Sequence, residues 1–291
     1  CPTRSTGASN FSSSAISQSR YSVTVAPNPQ PLTSRATMIG MTVVLVHGNP
    51  ESDAVWGPLV AALGELGRDD VVCLSPPGFG APLPEGFGAT VTEYRDWLIA
   101  ELEKFDAPVD LVGHDWGGGH VVNVAMARPD LLRSWATDVI GLFDPEYVWH
   151  DLAQIWIQPG AGEEQVGEML GGTVAERTER WVGLGVSPDV AEPLAAAQGP
   201  EMGRAILALY RSAPRAVLDQ FAEGLPEAAK TPGLALSATE DHFVGADAIR
   251  RRAAARAGAQ FEELEGLGHW WMVRDPAKGV EVLTRFWASI S

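Results

Sequence analysis

Short apolar runs alternate with longer amphipathic segments from residue 41 to the end of the chain. Thr42–Val46 is a continuous run of β-branched and aliphatic residues, a pattern that predicts a strand buried on both faces. Similar runs predict further strands at Val71–Leu74, Pro108–Val112, Ser134–Ile140, Leu234–Ser237 and Gln260–Leu264. Strands that alternate with helices are typical of a parallel sheet lying between two helical layers.

Helical spacing fills most of the segments between these strands. Glu93 follows Thr90 by three residues, which predicts a capping box at the start of one helix. The predicted helices are Trp56–Leu66, Thr90–Phe105, His120–Ala127, an Ala- and Arg-rich helix between the last two strands, and Pro276–Ile290. The segment 144–225 has no strand pattern and is rich in Ala, Glu and Trp. A helical insertion of this kind late in a sheet predicts a lid, or cap.

The first forty residues differ from the rest of the chain because they are rich in Ser, Thr, Pro and Asn. This composition predicts a loosely ordered leader, in which Tyr21–Val25 could add an edge strand, and we expect the natural start at Met38 or Met41 unless the leader is native. The predicted division is a leader at 1–40, a core formed by 41–143 and 226–291, and a cap at 144–225.

The net charge and the cysteine content exclude several classes of binding partner and of structural site. The 291-residue chain has 21 Lys and Arg against 37 Asp and Glu, a formal net charge of −16 at pH 7. Such a charge opposes phosphate backbones and anionic lipid, so we expect neither nucleic acid nor a membrane as a partner. Cys1 and Cys73 are the only cysteines, which argues against a disulfide framework or a zinc site. We expect a cytoplasmic protein, and the sequence leaves a homodimer open.

The segment Val109–Gly119 carries the most informative motif. A buried strand leads into Gly113-His-Asp-Trp-Gly-Gly, so a tight strand-to-helix turn places Asp115 where a nucleophile elbow holds its nucleophile. A carboxylate that attacks a saturated carbon bearing a leaving group forms an alkyl-enzyme ester. Water can then hydrolyse this ester at the carboxyl carbon of Asp115, and the reaction needs no cofactor and no metal.

Hydrolysis of an ester requires oxyanion donors and a base. The backbone N–H groups of Trp116 and Asn49 are the predicted oxyanion hole. The predicted base is His269, in a Gly-rich loop after the last strand, and Asp241 is preferred to the adjacent Glu240 as the acid that orients it. The remaining histidines near the elbow are predicted to be structural: His114 would bond loop backbone and His120 would sit on the helix.

These motifs, His47-Gly-Asn-Pro, Gly113-His-Asp-Trp-Gly-Gly, Asp241 and Gly268-His269-Trp, resemble the epoxide hydrolase and haloalkane dehalogenase branch of the α/β-hydrolase superfamily. The resemblance covers about residue 41 to the end. It implies an α/β fold with a mostly parallel central sheet flanked by helices and a helical cap inserted after the sixth strand.

The leaving group separates the two activities that the resemblance implies. Epoxide hydrolases of this fold use two cap tyrosines to hold the epoxide oxygen, and Tyr147 and Tyr210 resemble this pair. Haloalkane dehalogenases hold the halide with N–H donors, for which Asn49 and Trp116 are suited. The placement of the tyrosines favours an epoxide hydrolase, and the dehalogenase is the alternative. A ligand receptor that has kept the fold without turnover is a third, minor alternative.

A cap over such a sheet usually encloses an apolar pocket, so we expect a small, neutral, hydrophobic substrate together with water. The predicted pocket residues are His47, Pro50, Trp149, Trp156 and Trp270. Haloacetate dehalogenases of this fold bind a carboxylate through arginines just after the nucleophile. Glycines occupy those positions here, which argues against that activity.

Overall fold

A computed structural model of the protein describes residues 41–290. Its sheet has six parallel strands in the order β2-β1-β3-β4-β5-β6. The strands are β1 Val43–Val46, β2 Val71–Leu74, β3 Val109–Gly113, β4 Leu132–Thr137, β5 Gly233–Ala238 and β6 Gln260–Leu264. The predicted α/β class and parallel sheet are confirmed. The central strands β1, β3 and β5 are buried along their whole length, as their continuous apolar runs predicted.

Helices cover both faces of this sheet. They are α1 Gly57–Glu65, α2 Val91–Leu102, α3 Trp116–Ala127, α4 Asp151–Trp156, α5 Ala161–Leu170, α6 Val174–Gly183, α7 Pro188–Ala197, α8 Pro200–Arg211, α9 Arg215–Gly224, α10 Asp247–Arg256, α11 Trp271–Arg274 and α12 Pro276–Ser289. Short 3-10 helices lie at Asp53–Trp56, Pro129–Leu131, Ile140–Phe143 and Leu225–Lys230. The capping box at the start of α2 is present, with Glu93 N–H donating to the Thr90 hydroxyl at 3.3 Å.

Two of the element boundaries that differ from the predictions lie beside the residues of interest. Helix α3 begins at Trp116 and not at His120, because the glycines that follow Asp115 adopt helical backbone despite their low propensity. Strand β4 ends at Thr137 and not at Ile140. Asp138 turns its carboxylate into the site described below, and the chain then forms a 3-10 helix.

Six helices, α4 to α9, lie between β4 and β5, in the segment that the sequence predicts to be the cap. Four strands precede it within residues 41–290, not the expected six, and Tyr21–Val25 lies outside the described residues. The cap shares the apolar core of the sheet domain: Ile206 and Leu209 of α8 join the cluster that contains α2 and α3, and Leu194 of α7 joins the cluster that contains α1 and α12. Among helices within 41–290, none combines the length and apolar character that a bilayer crossing requires.

The sheet positions the functional residues at one edge. Parallel strands all end on the same side, so the segments after their carboxyl ends come together. The loop after β1 carries Asn49, the turn after β3 carries Asp115, and the loops after β5 and β6 carry Asp241 and His269. The cap lies in sequence between the second and third of these segments.

Candidate active site

The turn between β3 and α3 holds Asp115 in a backbone conformation that is rare for a residue with a side chain. Its φ is 50° and its ψ is −133°, a combination that costs of order 1–3 kcal/mol outside glycine. Close packing of the turn explains why its neighbours are glycines. A Cβ atom on Gly117 would lie 2.2 Å from the carbonyl oxygen of Val46 at the end of β1.

Asn49, in the loop after β1, binds one oxygen of the Asp115 carboxylate. Its backbone N–H donates to Asp115 Oδ1 at 2.9 Å, and its side-chain Nδ2 donates to the same oxygen at 3.0 Å. Gly48 permits this approach, because a Cβ there would lie 2.2 Å from Asp115 Oδ1. Trp116 is the first residue of α3, so its backbone N–H has no partner within the helix. Of the two predicted oxyanion donors, Asn49 thus binds the Asp115 carboxylate, and the Trp116 N–H directly follows the nucleophile at the start of α3.

His269 and Asp241 complete a triad around Asp115. His269 Nδ1 and Asp241 Oδ2 are hydrogen-bonded at 2.7 Å, and Asp241 Oδ1 accepts the backbone N–H of Phe243 at 2.8 Å. These bonds leave the other nitrogen, His269 Nε2, 3.9 Å from Asp115 Oδ2. One carboxylate oxygen of Asp115 thus lies among N–H donors while the other faces the imidazole.

Burial and neighbouring charge set the ionisation of this triad. Burial raises the pKa of Asp115, although the positive charges of His269 and His114 act against the rise. Burial would lower the pKa of His269, but the charge and hydrogen bond of Asp241 outweigh it, and the pKa is raised. The pKa of Asp241 is lowered, because its interactions with His269 outweigh the effect of burial. The arrangement stabilises an imidazolium on His269 and a carboxylate on Asp241.

A second buried ion group lies behind His269. His114 Nδ1 and Asp138 Oδ2 are 2.6 Å apart, and His114 Nε2 and Glu51 Oε1 are 3.1 Å apart. His114 was expected to bond loop backbone, so this expectation is corrected: its partners are two carboxylates. Burial would lower the pKa of His114, but Glu51 and Asp138 raise it well above its ordinary value.

This ion group contacts the triad directly. The ring centroids of His114 and His269 are 4.5 Å apart, and Asp138 Oδ1 also accepts the backbone N–H of Asp115 at 3.0 Å. The indole N–H of Trp270 donates to Glu51 Oε1 at 2.6 Å. Sequence reasoning missed Glu51 and Asp138. Their signal was a carboxylate directly after the Asn49-Pro50 turn and another within the apolar run Ser134–Ile140, which was predicted to be a strand.

The same group contains atoms of the kind that bind metal ions. Within residues 41–290, Glu51, His114 and His269 bring one potential ligand atom each within 4.8 Å of one another. Both ring nitrogens of His114 and Nδ1 of His269 already bond carboxylates. We therefore interpret the group as a buried ion network that supports the triad.

Tyr210, on α8 of the cap, lines the same two cavities as Asp115. Burial and the negative charge of Asp115 raise the pKa of its hydroxyl well above the ordinary value, while hydrogen bonding from the side chains of Asn49 and Trp116 acts in the opposite direction. Its ring stands edge-on to Trp116, with centroids 5.5 Å apart. The structure thus brings Tyr210 and both predicted halide donors to one place beside the nucleophile.

Tyr147 has a different environment. Its hydroxyl donates to the backbone carbonyl of Phe243 at 3.2 Å, so its single hydroxyl hydrogen is engaged away from Asp115. With Trp149 it lines a small cavity that adjoins the main one. The structure therefore does not direct the Tyr147 hydroxyl toward a leaving oxygen, although the sequence predicted that role.

The main cavity lies between the sheet edge and the cap and has a volume of about 200 Å³. Three predicted pocket residues line it: Pro50, Trp156 and Trp270. Trp149 lines only the adjoining small cavity. His47 lines neither, because it is fully buried and bonds the Gly48 carbonyl and the Ser75 hydroxyl. The prediction for His47 is corrected to a structural role.

Several cavity residues were not predicted. They are His150, Leu152, Met169, Arg177, Arg180, Leu184, Gln198 and Phe243. All but Phe243 belong to the cap or its connections, where no motif marks a position.

His120 has the predicted structural role: it stacks on Tyr94 and Trp116 with centroids 5.0 and 5.8 Å away. Burial lowers the pKa of His120 to about 3.

The amino-acid sequence of the chain matches a known protein family. The family model described as "Alpha/beta hydrolase family" matches residues 43–282. Among curated relatives, the chain is 29 % identical to (E)-2-((N-methylformamido)methylene)succinate hydrolase of Acinetobacter baylyi over 33 % of this chain and 36 % of the relative. It is 28 % identical to a haloalkane dehalogenase of Mesorhizobium japonicum over 40 % of this chain and 36 % of the relative. The match thus spans little more than a third of either relative.

Solved structures of similar fold cover far more of the chain. An ancestral haloalkane dehalogenase, AncHLD2, superposes with a TM-score of 0.65 at 21 % identity, over 87 % of this chain and 93 % of that one. E-2-(acetamidomethylene)succinate hydrolase superposes with a TM-score of 0.65 at 16 % identity, over 84 % and 91 %. At these identities the likeness concerns the fold, and the chemistry has to be argued from the site.

Proposed function

Because the chain belongs to the alpha/beta hydrolase family, we propose that it is an epoxide hydrolase that converts a small, neutral, hydrophobic epoxide to a vicinal diol. The observation that carries the proposal is the position of Tyr210. A buried phenol beside the nucleophile supplies the proton that an alkoxide leaving group needs and that a halide does not.

In the first step Asp115 Oδ2 attacks a ring carbon, and the bond between that carbon and the epoxide oxygen breaks. Oδ2 is the suited oxygen because Oδ1 is bound by Asn49. The released oxygen takes the proton of Tyr210, which leaves a phenolate and a hydroxyalkyl ester on Asp115. Hydrogen bonds from Asn49 and Trp116 stabilise the phenolate.

In the second step His269 removes a proton from water, and the hydroxide attacks the Asp115 carboxyl carbon. Negative charge develops on Oδ1, which already lies 2.9 Å from the backbone N–H of Asn49. The ester bond then breaks, the diol oxygen takes the proton from His269, and the regenerated carboxylic acid returns a proton to Tyr210. All atoms of the water and the epoxide are then in the diol and the Asp115 carboxylate.

Ester formation also prepares the base. The negative charge of Asp115 is one of the causes that raise the pKa of His269. An ester has no such charge, so the pKa of His269 falls when the intermediate forms. This change favours the neutral imidazole, which is able to accept a proton, at the stage where the mechanism requires a base.

The second candidate is a haloalkane dehalogenase. Asn49 and Trp116 favour it, since their N–H groups are suited to hold a halide, and several similar proteins bear the name of this activity. In this chain, however, the same two side chains lie close enough to the Tyr210 hydroxyl to lower its pKa. A halide would have to share these donors with Tyr210, which favours the epoxide.

One pair of assays tests the choice: diol formation from an aryl or alkyl epoxide, and halide release from a bromoalkane. Diol without halide supports the proposal, and halide without diol overturns it in favour of the dehalogenase. Tyr210→Phe sharpens the test, because it should lower epoxide opening on the order of 10²-fold while sparing halide displacement. Binding of both compounds with no turnover of either would favour the receptor alternative.

A further inference from the structure

His150 is a cavity residue whose role neither the motifs nor the proposed mechanism explains. It precedes α4 in the cap and lines the main cavity together with Asp115, Tyr210 and His269. Aromatic rings hold it on several sides, with centroids of Phe243 at 5.2 Å, Trp156 at 5.7 Å and Tyr210 at 6.3 Å. A ring packed in this way has little freedom to turn.

The hydrogen bonding of His150 identifies its tautomer. Nδ1 accepts the backbone N–H of Ala153 at 3.3 Å, so the imidazole is the N-cap of α4. An accepting Nδ1 has no proton, and the ring hydrogen of the neutral imidazole is therefore on Nε2. Burial and the positive charge of His269 lower the pKa of His150 to about 4. At neutral pH the side chain is an uncharged donor through Nε2–H.

The Nε2–H group of His150 is available to a substrate. Among residues 41–290, the only hydrogen bond to this imidazole is the one at Nδ1. The Tyr147 hydroxyl, by contrast, is engaged by the carbonyl of Phe243. Opening an epoxide with one donor is less favourable than with two, because the developing alkoxide has more than one lone pair to stabilise.

We propose that the Nε2–H of His150 is the second donor to the leaving oxygen, acting with Tyr210 in the place expected of Tyr147. The inference rests on the proposed epoxide hydrolysis. No bond to His150 forms or breaks: Tyr210 transfers the proton, and His150 Nε2 keeps its own and donates a hydrogen bond to the oxygen as charge develops. Its neutrality matters because a second cation beside His269 would oppose proton uptake by the base.

Two substitutions separate donation from helix capping. In His150→Asn the side-chain carbonyl can occupy the position of Nδ1 and keep the cap, but the chain is too short to place an N–H where Nε2 lies. In His150→Gln the terminal amide can reach the position of Nε2 and restore a donor. His242→Asn, at an exposed histidine outside the cavity, is the matched control. Thermal melts identify any variant that fails to fold.

The measurement is a single turnover with enzyme in excess, in which mass spectrometry follows the ester on Asp115 as it forms and disappears. We expect His150→Asn to slow ester formation from an epoxide by about 10- to 100-fold, with hydrolysis of the ester unchanged. His150→Gln should recover most of the loss, His242→Asn should match the wild type, and Tyr147→Phe should change the rate by less than about threefold.

The outcomes separate this inference from the function on which it rests. If the wild type forms ester from an epoxide and His150→Asn does so equally fast, the inference is wrong and the epoxide hydrolase stands. A large loss in Tyr147→Phe together with a normal His150→Asn returns the role to Tyr147. If the wild type forms ester only from a bromoalkane, the proposed function fails, and the leaving-oxygen role of His150 fails with it.

Discussion

The sheet edge and the cap contribute to the candidate site in different ways. At the sheet edge, Asp115, Asn49, Asp241 and His269 occupy fixed turns, joined by hydrogen bonds of 2.7–3.0 Å. In the cap, Tyr210, Trp156 and His150 sit among aromatic rings that contact one another at 4.8–6.3 Å. Backbone geometry determines the first set, and side-chain packing determines the second. In the proposed mechanism, the steps shared by both candidate activities therefore depend on the sheet edge, and the proton for an alkoxide leaving group comes from the cap.

The strongest test of this contrast is the nucleophile. Asp115→Asn keeps the size of the side chain and removes the charge that attacks carbon. We expect turnover to fall at least on the order of 10⁴-fold, with no ester detected by mass spectrometry for an epoxide or a bromoalkane. Retained turnover would show that the elbow has been misinterpreted.

His269→Gln tests the division between the two steps. Ring opening does not need a base, so the ester should still form, but its hydrolysis should slow by about 10³-fold or more. The expected observation is a protein mass increased by the mass of the epoxide, persisting for hours. Hydrolysis at the normal rate in this variant would mean that another group activates water.

Glu51→Gln removes one carboxylate from the buried ion group at the sheet edge. The pKa of Glu51 is lowered to about 2 from an ordinary 4.5, so its charge contributes stability above pH 4.5 that is lost as the pH falls toward 2. Breaking a buried pair costs about 3–5 kcal/mol. Urea unfolding at pH 7 should show such a loss, and NMR titration should show a lower His114 pKa. An unchanged midpoint would contradict the account of this group.

Changing the pH alters the protonation of His269 gradually and so tests its role as the base in ester hydrolysis. The pKa of His269 is raised in the free enzyme. Because the first step needs no base, we expect kcat/KM not to depend on whether His269 is protonated. Hydrolysis of the ester should decrease about tenfold per pH unit below the lower pKa of the intermediate. Pre-formed ester, followed after a jump to different pH values, measures this profile directly. A hydrolysis midpoint above the pKa of free His269 would have the wrong sign.

The smallest effect is expected in the cap. Trp156→Phe removes the indole N–H, which bonds Gln165, but leaves an aromatic ring in the cavity wall. We expect KM to change by about three- to tenfold with the rate of ester hydrolysis unaltered. Steady-state and single-turnover measurements on the same preparation separate these quantities. A large change in hydrolysis would mean that the cap also controls the second step.

The sequence predicted the sheet edge better than the cap for a physical reason. Gly117 and Gly48 are required by contacts closer than any Cβ could make, and such requirements leave a motif that can be recognised. The order of the strands then brings Asp241 and His269 to Asp115 without further information. The carboxylates Glu51 and Asp138 were missed because a single acidic residue in a loop or near the end of a strand is most often solvated, and nothing beside it in the sequence marks it as buried.

No comparable requirement marks the cap. Tyr147 and Tyr210 were chosen because their segments resemble those of the cap tyrosines in epoxide hydrolases, yet the direction of a hydroxyl depends on the local backbone. The carbonyl of Phe243, which accepts the Tyr147 hydroxyl, lies 96 residues away in the chain. His150 could have been noticed as a histidine immediately before a helix. Its tautomer follows only from the hydrogen bond to Ala153. The cap boundaries remain predictions, and residues 1–40 lie outside the described chain.

The unequal surroundings of the two Asp115 oxygens have a consequence for the origin of atoms in the product. Oδ1 is held by Asn49 and Oδ2 faces the cavity, so in the proposed reaction Oδ2 leaves with the diol and an oxygen from water replaces it. The protein thus loses one carboxylate oxygen of Asp115 to the product in each cycle and regains one from water. In water labelled with a heavy oxygen isotope, the first diol released carries an unlabelled oxygen from Asp115. The labelled oxygen stays in the Asp115 carboxylate until the next cycle.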